Sequence, residues 1–411
     1  VKLLHVTHQY RPAIGGSERY MTDLSEELAR RGHLVDVFTT RSHDFWTWGN
    51  DLPGFERQEG VNVYRFRSLR RRAFTWRLLD FGYAGYRPTR WRRYEPFILA
   101  GNGPLSPGLA WAILTRGQSY DLIHIQTLPY AHVVYGYACA RRTGRPIVLT
   151  PHLHVEEPGT FDIEMFNAVL RGADLVIAVS GREHEYLVAR GVADERVLVA
   201  GNGVKLEELP RRDPIECRRR LGLPADATIL LFLGRKIAYK GLAIVLEAFA
   251  ALQARYSALW LVAAGPPTDD SISLHQTWNG LPRYLELDAV SEEQKQDLLN
   301  ACDVLLLPST AEAFGIVFLE AWAVGKPVIG ARAGAIPWVI DDERDGLLVE
   351  PGDAAGLAAQ VERLIGDPTL AHRLGEAGYQ KVRARYTVER IADVVEAAYR
   401  RVVRNTQRER P

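Results

Sequence analysis

The chain has 411 residues, enough for two or three domains of ordinary size, and its 47% hydrophobic and 25% charged residues are the proportions of a globular protein. No apolar run reaches the roughly 18–20 residues that a membrane span requires. No secretory leader is expected, because residues 1–6 lead directly into a strand pattern. Three widely spaced cysteines, Cys139, Cys217 and Cys302, form no metal-ligand pattern and point to a reducing, cytoplasmic setting. The net charge of +1 is unevenly spread: ten arginines and one acid, Asp80, fall between Arg65 and Arg93, interleaved with aromatic residues.

Leu3-Leu-His-Val6 is an apolar run that reads as a strand. The loop after it ends in Gly15-Gly16, and Ser17 then caps a helix with Met21, Leu24 and Leu28 on one face and Gly32 at its end. Residues 34–38 form the next strand. Strand, glycine loop, helix, strand is the opening of a nucleotide-binding α/β domain. The loop lacks the Gly-x-Gly-x-x-Gly dinucleotide fingerprint, however, so a dehydrogenase is not expected and a plain tight turn stays open. Residues 41–110 carry one expected strand, 61–66, and otherwise read as irregular. Their arginines and aromatics fit a solvated basic face, an oligomer contact or a surface for anionic lipid headgroups; nucleic acid is not expected, since no recognition module accompanies them.

Residues 121–125 and 146–149 read as strands. The second runs into Thr150-Pro151-His152-Leu153-His154, which puts a histidine just beyond a strand's carboxyl end, where α/β sheets bind ligands. A structural histidine is the alternative, and no acid or cysteine cluster supports a metal. Residues 173–180 read as a buried strand, 182–190 as a helix and Asn202-Gly203-Val204 as a turn. A charged stretch with Pro210 then marks a linker over 207–214, between domains expected at 1–206 and 215–386.

The second domain opens on Thr228-Ile-Leu-Leu-Phe-Leu-Gly234-Arg235-Lys236-Ile-Ala-Tyr-Lys240-Gly241, again strand, glycine loop, helix. Arg235 and Lys240 can aim at one anion, the guanidinium as a fork and the ammonium as a mobile point charge; a solvated basic loop is the alternative. Further strands are expected at 259–264, around 284–287, and at 303–307. The last runs into Ser309-Thr-Ala-Glu312-Ala-Phe314-Gly315-Ile316-Val317-Phe-Leu-Glu320-Ala, a loop and then a helix ended by Gly325 and Pro327. The first N–H groups of such a helix lack internal partners and favour an anion, and Gly315 lets backbone approach a phosphate. Glu312 and Glu320 flank that point and can each accept hydrogen bonds from hydroxyls. The pair suits a diphosphate with hydroxyls at both ends, a nucleotide sugar; acids near a helix dipole with no ligand are the bland alternative. Strands at 327–330 and 346–349 and a helix over 387–403, with Ile391, Val394, Val395, Ala398 and Val402 on one side, complete the chain before a polar tail expected to fray from Arg404.

Two glutamates separated by Ala-Phe-Gly-Ile-Val-Phe-Leu, preceded by the Gly234-Arg235 and Lys240-Gly241 element, resemble the signature of the retaining nucleotide-sugar glycosyltransferases of family 4. The resemblance is close over 228–349 and holds in outline for the first domain through Gly15-Gly16, His152 and the Asn-Gly-Val turn. It implies the α/β GT-B fold: two Rossmann-like domains with parallel sheets facing across a cleft, and a C-terminal helix, 387–411 with its tail, crossing back to the first domain. It implies transfer of a sugar from a nucleoside-diphosphate sugar to a glycan, lipid-linked or small-molecule acceptor in cell-envelope or polysaccharide biosynthesis, with no metal or other cofactor. The donor phosphates fall to Arg235, Lys240 and the backbone at Phe314, Gly315 and Ile316, the ribose to Glu320, the transferred sugar to Glu312. His152 and Gly15-Gly16 are implied at the reacting centre. Two departures stand out: Gly265-Pro266-Pro267 stands where family members often have Gly-x-Gly-Pro, and Asp288 stands where the family usually has glycine, at a strand end that the resemblance places near the nucleotide base. A GT-B nucleotide-sugar epimerase and a non-catalytic nucleotide-sugar-binding subunit are the rival readings.

Overall fold

The structure is a computed structural model that describes residues 1–13, 15–278 and 280–408. The chain divides into two compact units, Val1–Asn202 with Val388–Pro411, and Gly203–Thr387. The first unit holds β1 (Lys2–Val6), β2 (Leu34–Thr40), β3 (Phe55–Gln58), β4 (Val61–Phe66), β5 (Leu122–Gln126), β6 (Ile147–Thr150), β7 (Leu175–Ala178) and β8 (Val197–Val199). They form one sheet in the order β3-β4-β2-β1-β5-β6-β7-β8, parallel except for the β3–β4 edge pair. Every residue of β5, β6 and β7 is buried. Burial of successive residues, rather than alternation, is what a sheet covered by helices on both faces requires. The chain builds outward from β1 to β2 and β4, then returns to lay β5 beside β1 in the register Leu3↔Leu122. The order therefore reverses between β1 and β5.

The segment read as irregular contains helices and a second strand. Helices span Ala73–Thr89, Glu95–Asn102 and Pro107–Arg116, and β3 pairs with β4. The first of these helices buries only Leu79, Gly82, Tyr83 and Tyr86. That narrow face, with a glycine in it and Pro88 in its last turn, is hidden in sequence because Phe74 and Phe81 stay exposed outside it. The C-terminal helix, Val388–Arg408, runs past Arg404 and packs on the helix Gly16–Arg30. Ile391, Ala392, Val395, Ala398, Tyr399 and Val402 face inward, while Val394 is 40% exposed. At ~100° per residue Val394 lies about 100° from the centre of the buried stripe. Arg31 bonds Asp393 at 2.8 Å and Glu396 at 3.0 Å, and His33 meets Glu396 at 3.0 Å, which fixes the helix in register.

The second unit is a wholly parallel sheet of β9 (Thr228–Leu233), β10 (Leu259–Ala264), β11 (Tyr284–Leu287), β12 (Val304–Leu307), β13 (Val328–Ala331) and β14 (Leu347–Val349), ordered β11-β10-β9-β12-β13-β14. Here the order reverses between β9 and β12, paired at Leu230↔Val304. The segment expected as a linker, 207–214, belongs to this unit. Arg212 pairs with Asp297 at 2.6 Å, its N–H donates to Asn300 Oδ1 at 2.7 Å, and Asn300 Nδ2 donates to the Pro210 carbonyl at 3.1 Å. The charges that suggested a solvated linker are used for pairing, and the chain passes between units at Asn202–Gly203.

Candidate active site

Both glycine loops of the second unit leave the carboxyl ends of β9 and β12, the strands between which the order reverses. Such a switch point is where an open α/β sheet presents helix N-termini to a ligand. The Tyr239 carbonyl stitches the two loops together: it accepts from the Thr310 N–H at 2.8 Å and from Ser309 Oγ at 3.1 Å. Lys240 Nζ consequently donates to Glu312 Oε1, with side chains 17% and 7% exposed. Arg235 is exposed and has no ion pair among the described residues.

Gly315 is the N-cap of the helix Ile316–Ala323, at φ 93°, and no side chain caps that helix. This is the left-handed region that glycine tolerates, and a Cβ there would also lie 2.7 Å from the Phe318 ring. The first N–H groups of the helix, Ile316 among them, are thus presented to an acceptor from outside, with the dipole favouring an anion. Phe314 is buried against Tyr386, ring centroids 5.6 Å apart, so its side chain anchors the loop and only its backbone can meet a ligand. Glu320, buried on the second turn, accepts from Lys295 Nζ at 2.9 Å; Lys295 also reaches Glu292 at 2.8 Å. Burial alone would lower the Lys295 ammonium, but the two glutamates outweigh it and raise its pKa.

Two cations of this site were not singled out in sequence, Lys295 and Lys236. The Lys236 side chain is fully buried and reaches Glu286 at 2.8 Å and Asp288 at 3.4 Å. Asp288, the acid in place of an expected glycine, is therefore part of the balance for a buried ammonium. Burial would raise the Glu286 carboxyl, but Lys236 and His275 hold it below its ordinary range. A lone lysine beside an arginine carries no signal that it points inward; the acid at the end of a distant strand was the available clue.

In the first unit His152 follows β6 and is buried at φ 54°, a conformation rare for a residue with a side chain and found where surrounding structure imposes it. Its Nε2 lies 3.2 Å from Gln126 Oε1, while Gln126 Nε2 donates to Thr7 Oγ1 at 3.1 Å and to the Ser17 carbonyl at 3.0 Å. Those two acceptors orient the amide so that its oxygen faces the histidine, which selects the Nε2–H tautomer and leaves Nδ1 as an acceptor. Burial, against the opposing Glu18 charge, lowers His152 to about 4, so the ring is neutral near pH 7. Gly15 and Gly16 precede and open the helix Gly16–Arg30. A Cβ on Gly15 would come 2.0 Å from Glu18 Oε2. The glycine makes room for a carboxylate that pairs with His8 at 2.9 Å, both side chains buried. Burial would raise Glu18, but the His8 ring holds it below the usual carboxylate range. His8 in turn stacks on Tyr130, centroids 4.2 Å apart. His8, Glu18 and Gln126 were not anticipated; only their proximity in the fold shows them. Among the described residues no group of three or more His, Cys, Asp or Glu is placed to hold a metal ion.

Residues 15–203 match the model of the glycosyl transferase 4-like domain, and residues 214–381 that of glycosyl transferases group 1. A D-inositol 3-phosphate glycosyltransferase of Streptomyces scabiei is 30% identical over 405 residues, covering 91% of this chain and 84% of its own. Sucrose-phosphate synthase from Thermosynechococcus elongatus shares the fold with a TM-score of 0.76 at 24% identity, over 98% of this chain and 100% of that one. Anabaena HepE in complex with UDP and glucose does so with a TM-score of 0.72 at 22% identity, over 96% and 98%. With both units matched and one relative aligned over nearly its whole length, the chain belongs to the GT-B glycosyltransferases of the family 4 type.

Proposed function

We propose that the protein is a retaining glycosyltransferase that takes a nucleoside-diphosphate sugar and moves its sugar to a glycan, lipid-linked or small-molecule acceptor in cell-envelope or polysaccharide biosynthesis. The observation that carries this reading is the stitching of the two loops by Tyr239, which gathers Lys240, Glu312 and an uncapped helix N-terminus at one switch point. The UDP and glucose in the HepE structure support a donor of that class. Arg235, Lys240 and the N–H groups at Phe314, Gly315 and Ile316 bind the diphosphate in this reading, and Glu320 binds the ribose. Glu312 holds hydroxyls of the transferred sugar. Neutral His152 accepts from a sugar hydroxyl through Nδ1, and the Gly15-Gly16 loop belongs to the same reacting centre.

The acceptor oxygen bonds to the anomeric carbon on the face from which the diphosphate departs. The bond from that carbon to the phosphate oxygen breaks, and the acceptor's proton passes to the departing diphosphate. Negative charge grows on the leaving group, where the Arg235 guanidinium, the Lys240 ammonium and the helix N-terminus stabilise it most. These groups supply the positive field, so we propose that no metal is required, and we place the enzyme in the cytoplasm. The test is a panel of UDP-, GDP- and ADP-sugars with glycan and lipid acceptors, the product's anomeric configuration read by NMR with and without chelator. Retained configuration and chelator-insensitive transfer are expected. Inverted product, loss of activity on chelation, or a new sugar isomer formed without acceptor would each overturn the corresponding part.

A further inference from the structure

The helices Ala73–Thr89 and Glu95–Asn102 pack against each other, and their outer side carries an unusual load. Phe74 is 66% exposed, Phe81 53%, Trp91 51% and Phe97 36%. Phe74, Arg77, Phe81 and Ala84 repeat at helical spacing along one exposed face. Phe81 meets Phe97 edge-on at 5.0 Å and Tyr94 at 5.6 Å, so the ridge continues across both helices. In the turn between them Arg93 lies 3.9 Å over the Trp91 ring. Arg67, Arg70, Arg72, Arg77 and Arg93 are exposed and have no acid partner among the described residues; Arg92 pairs with Glu95 and Arg90 with Asp162. One exposed acid, Asp80, stands among them.

We propose that this two-helix ridge docks the protein on an anionic lipid bilayer, the aromatic side chains entering the headgroup boundary and the arginines meeting lipid phosphates. Exposed apolar residues grouped in one patch mark an interaction surface, and a basic amphipathic face with Phe and Trp on it matches the interface of a negatively charged membrane. The charge argues against the two other occupants. A symmetric contact with a second copy would set the same arginines against each other. Nucleic acid is tracked by basic grooves, whereas these side chains stand on the outer face of a helix pair. Among the described residues no single helix is long and apolar enough to cross a membrane. The inference does not depend on the donor reading.

The experiment is sedimentation of the full chain with phosphatidylcholine vesicles, with and without phosphatidylglycerol, across a salt series. Binding is expected only with phosphatidylglycerol and falls steeply as salt rises. Arg70→Ser, Arg77→Ser and Arg93→Ser together weaken it by about a hundredfold. Phe74→Ser, Phe81→Ser and Trp91→Ser together weaken it about tenfold and leave the salt slope in place. All six side chains are exposed, and unchanged far-UV circular dichroism confirms that each triple variant is folded. No binding to phosphatidylglycerol vesicles at low salt, equal binding to neutral vesicles, or unchanged binding by folded variants would overturn the proposal. So would a lipid-free dimer abolished by the aromatic substitutions, or a duplex oligonucleotide bound as tightly as the vesicles.

Discussion

Arg235 and Lys240 are both assigned to the diphosphate, yet the structure separates them energetically. Arg235 is exposed and has no ion pair among the described residues, so Arg235→Ala leaves stability within ~0.5 kcal/mol. It removes a charge-assisted hydrogen bond to phosphate, worth about 1.5–3 kcal/mol, or roughly 10–150-fold in affinity. Lys240→Ala loses a comparable contact but also strands Glu312, whose side chain is 7% exposed. Breaking a buried pair by removing one partner costs ~3–5 kcal/mol. Lys240 is itself 17% exposed, so the lower end of that range, about 3 kcal/mol, applies. Calorimetric titration with UDP, GDP and ADP, beside urea unfolding of the same preparations, reads both quantities. The expected pattern is one nucleoside diphosphate bound by the parent, weakened in both variants, with the urea midpoint lowered only in Lys240→Ala. An Arg235→Ala protein that binds as the parent does would remove the guanidinium from the site. A Lys240→Ala protein with an unchanged midpoint would show that the pair with Glu312 contributes nothing.

Glu312→Gln frees Lys240 and removes a negative charge beside the phosphates, so diphosphate affinity rises by about tenfold while transfer falls at least as much; unchanged affinity would place Glu312 away from the anion. Gly315→Ala meets both a φ of 93° and the Phe318 ring at 2.7 Å, costs ~1–2 kcal/mol, and abolishes diphosphate binding in calorimetry because the helix N–H groups move; retained binding would show that the loop is not the phosphate cradle. Burial holds His152 at about 4 and, with His33, His5 at about 3, both below the unfolded 6.5. With folded-state values depressed, the unfolded chain takes up these protons first, so the contribution is present above about pH 6.5 and lost as pH falls through the folded values. Each ring costs ~2 kcal/mol by pH 5, at 1.36 kcal/mol per unit. The urea midpoint is expected to drop between pH 6.5 and 5, less steeply in His152→Gln; equal slopes would mean that His152 titrates as an exposed histidine.

Much of the second unit was legible because its information is local. Apolar runs such as Thr228–Leu233 and Val304–Leu307 are bounded by glycine loops, and Glu312, Gly315 and Glu320 lie within one strand–loop–helix segment. The helical pair at 73–102 was not legible. Its first helix buries only four residues, leucine, glycine and two tyrosines, and leaves Phe74 and Phe81 exposed, so no hydrophobic period marks the buried face. The boundary near 207–214 misled for a related reason: charge and proline suggest solvent exposure, whereas Arg212 spends its charge on Asp297.

Taken alone, the sequence determined the class of elements, their alternation, the loops able to bind an anion and the family the chain belongs to. Only the tertiary structure decided which charges meet: Lys240 with Glu312 across 72 positions, Glu320 with Lys295, Lys236 with Asp288, His8 with Glu18. Residue spacing encodes periodicity and turn chemistry within an element. Partners between elements depend on strand order, and that order reverses at β9 and β12, and at β1 and β5, where returning strands pair with ones laid down long before.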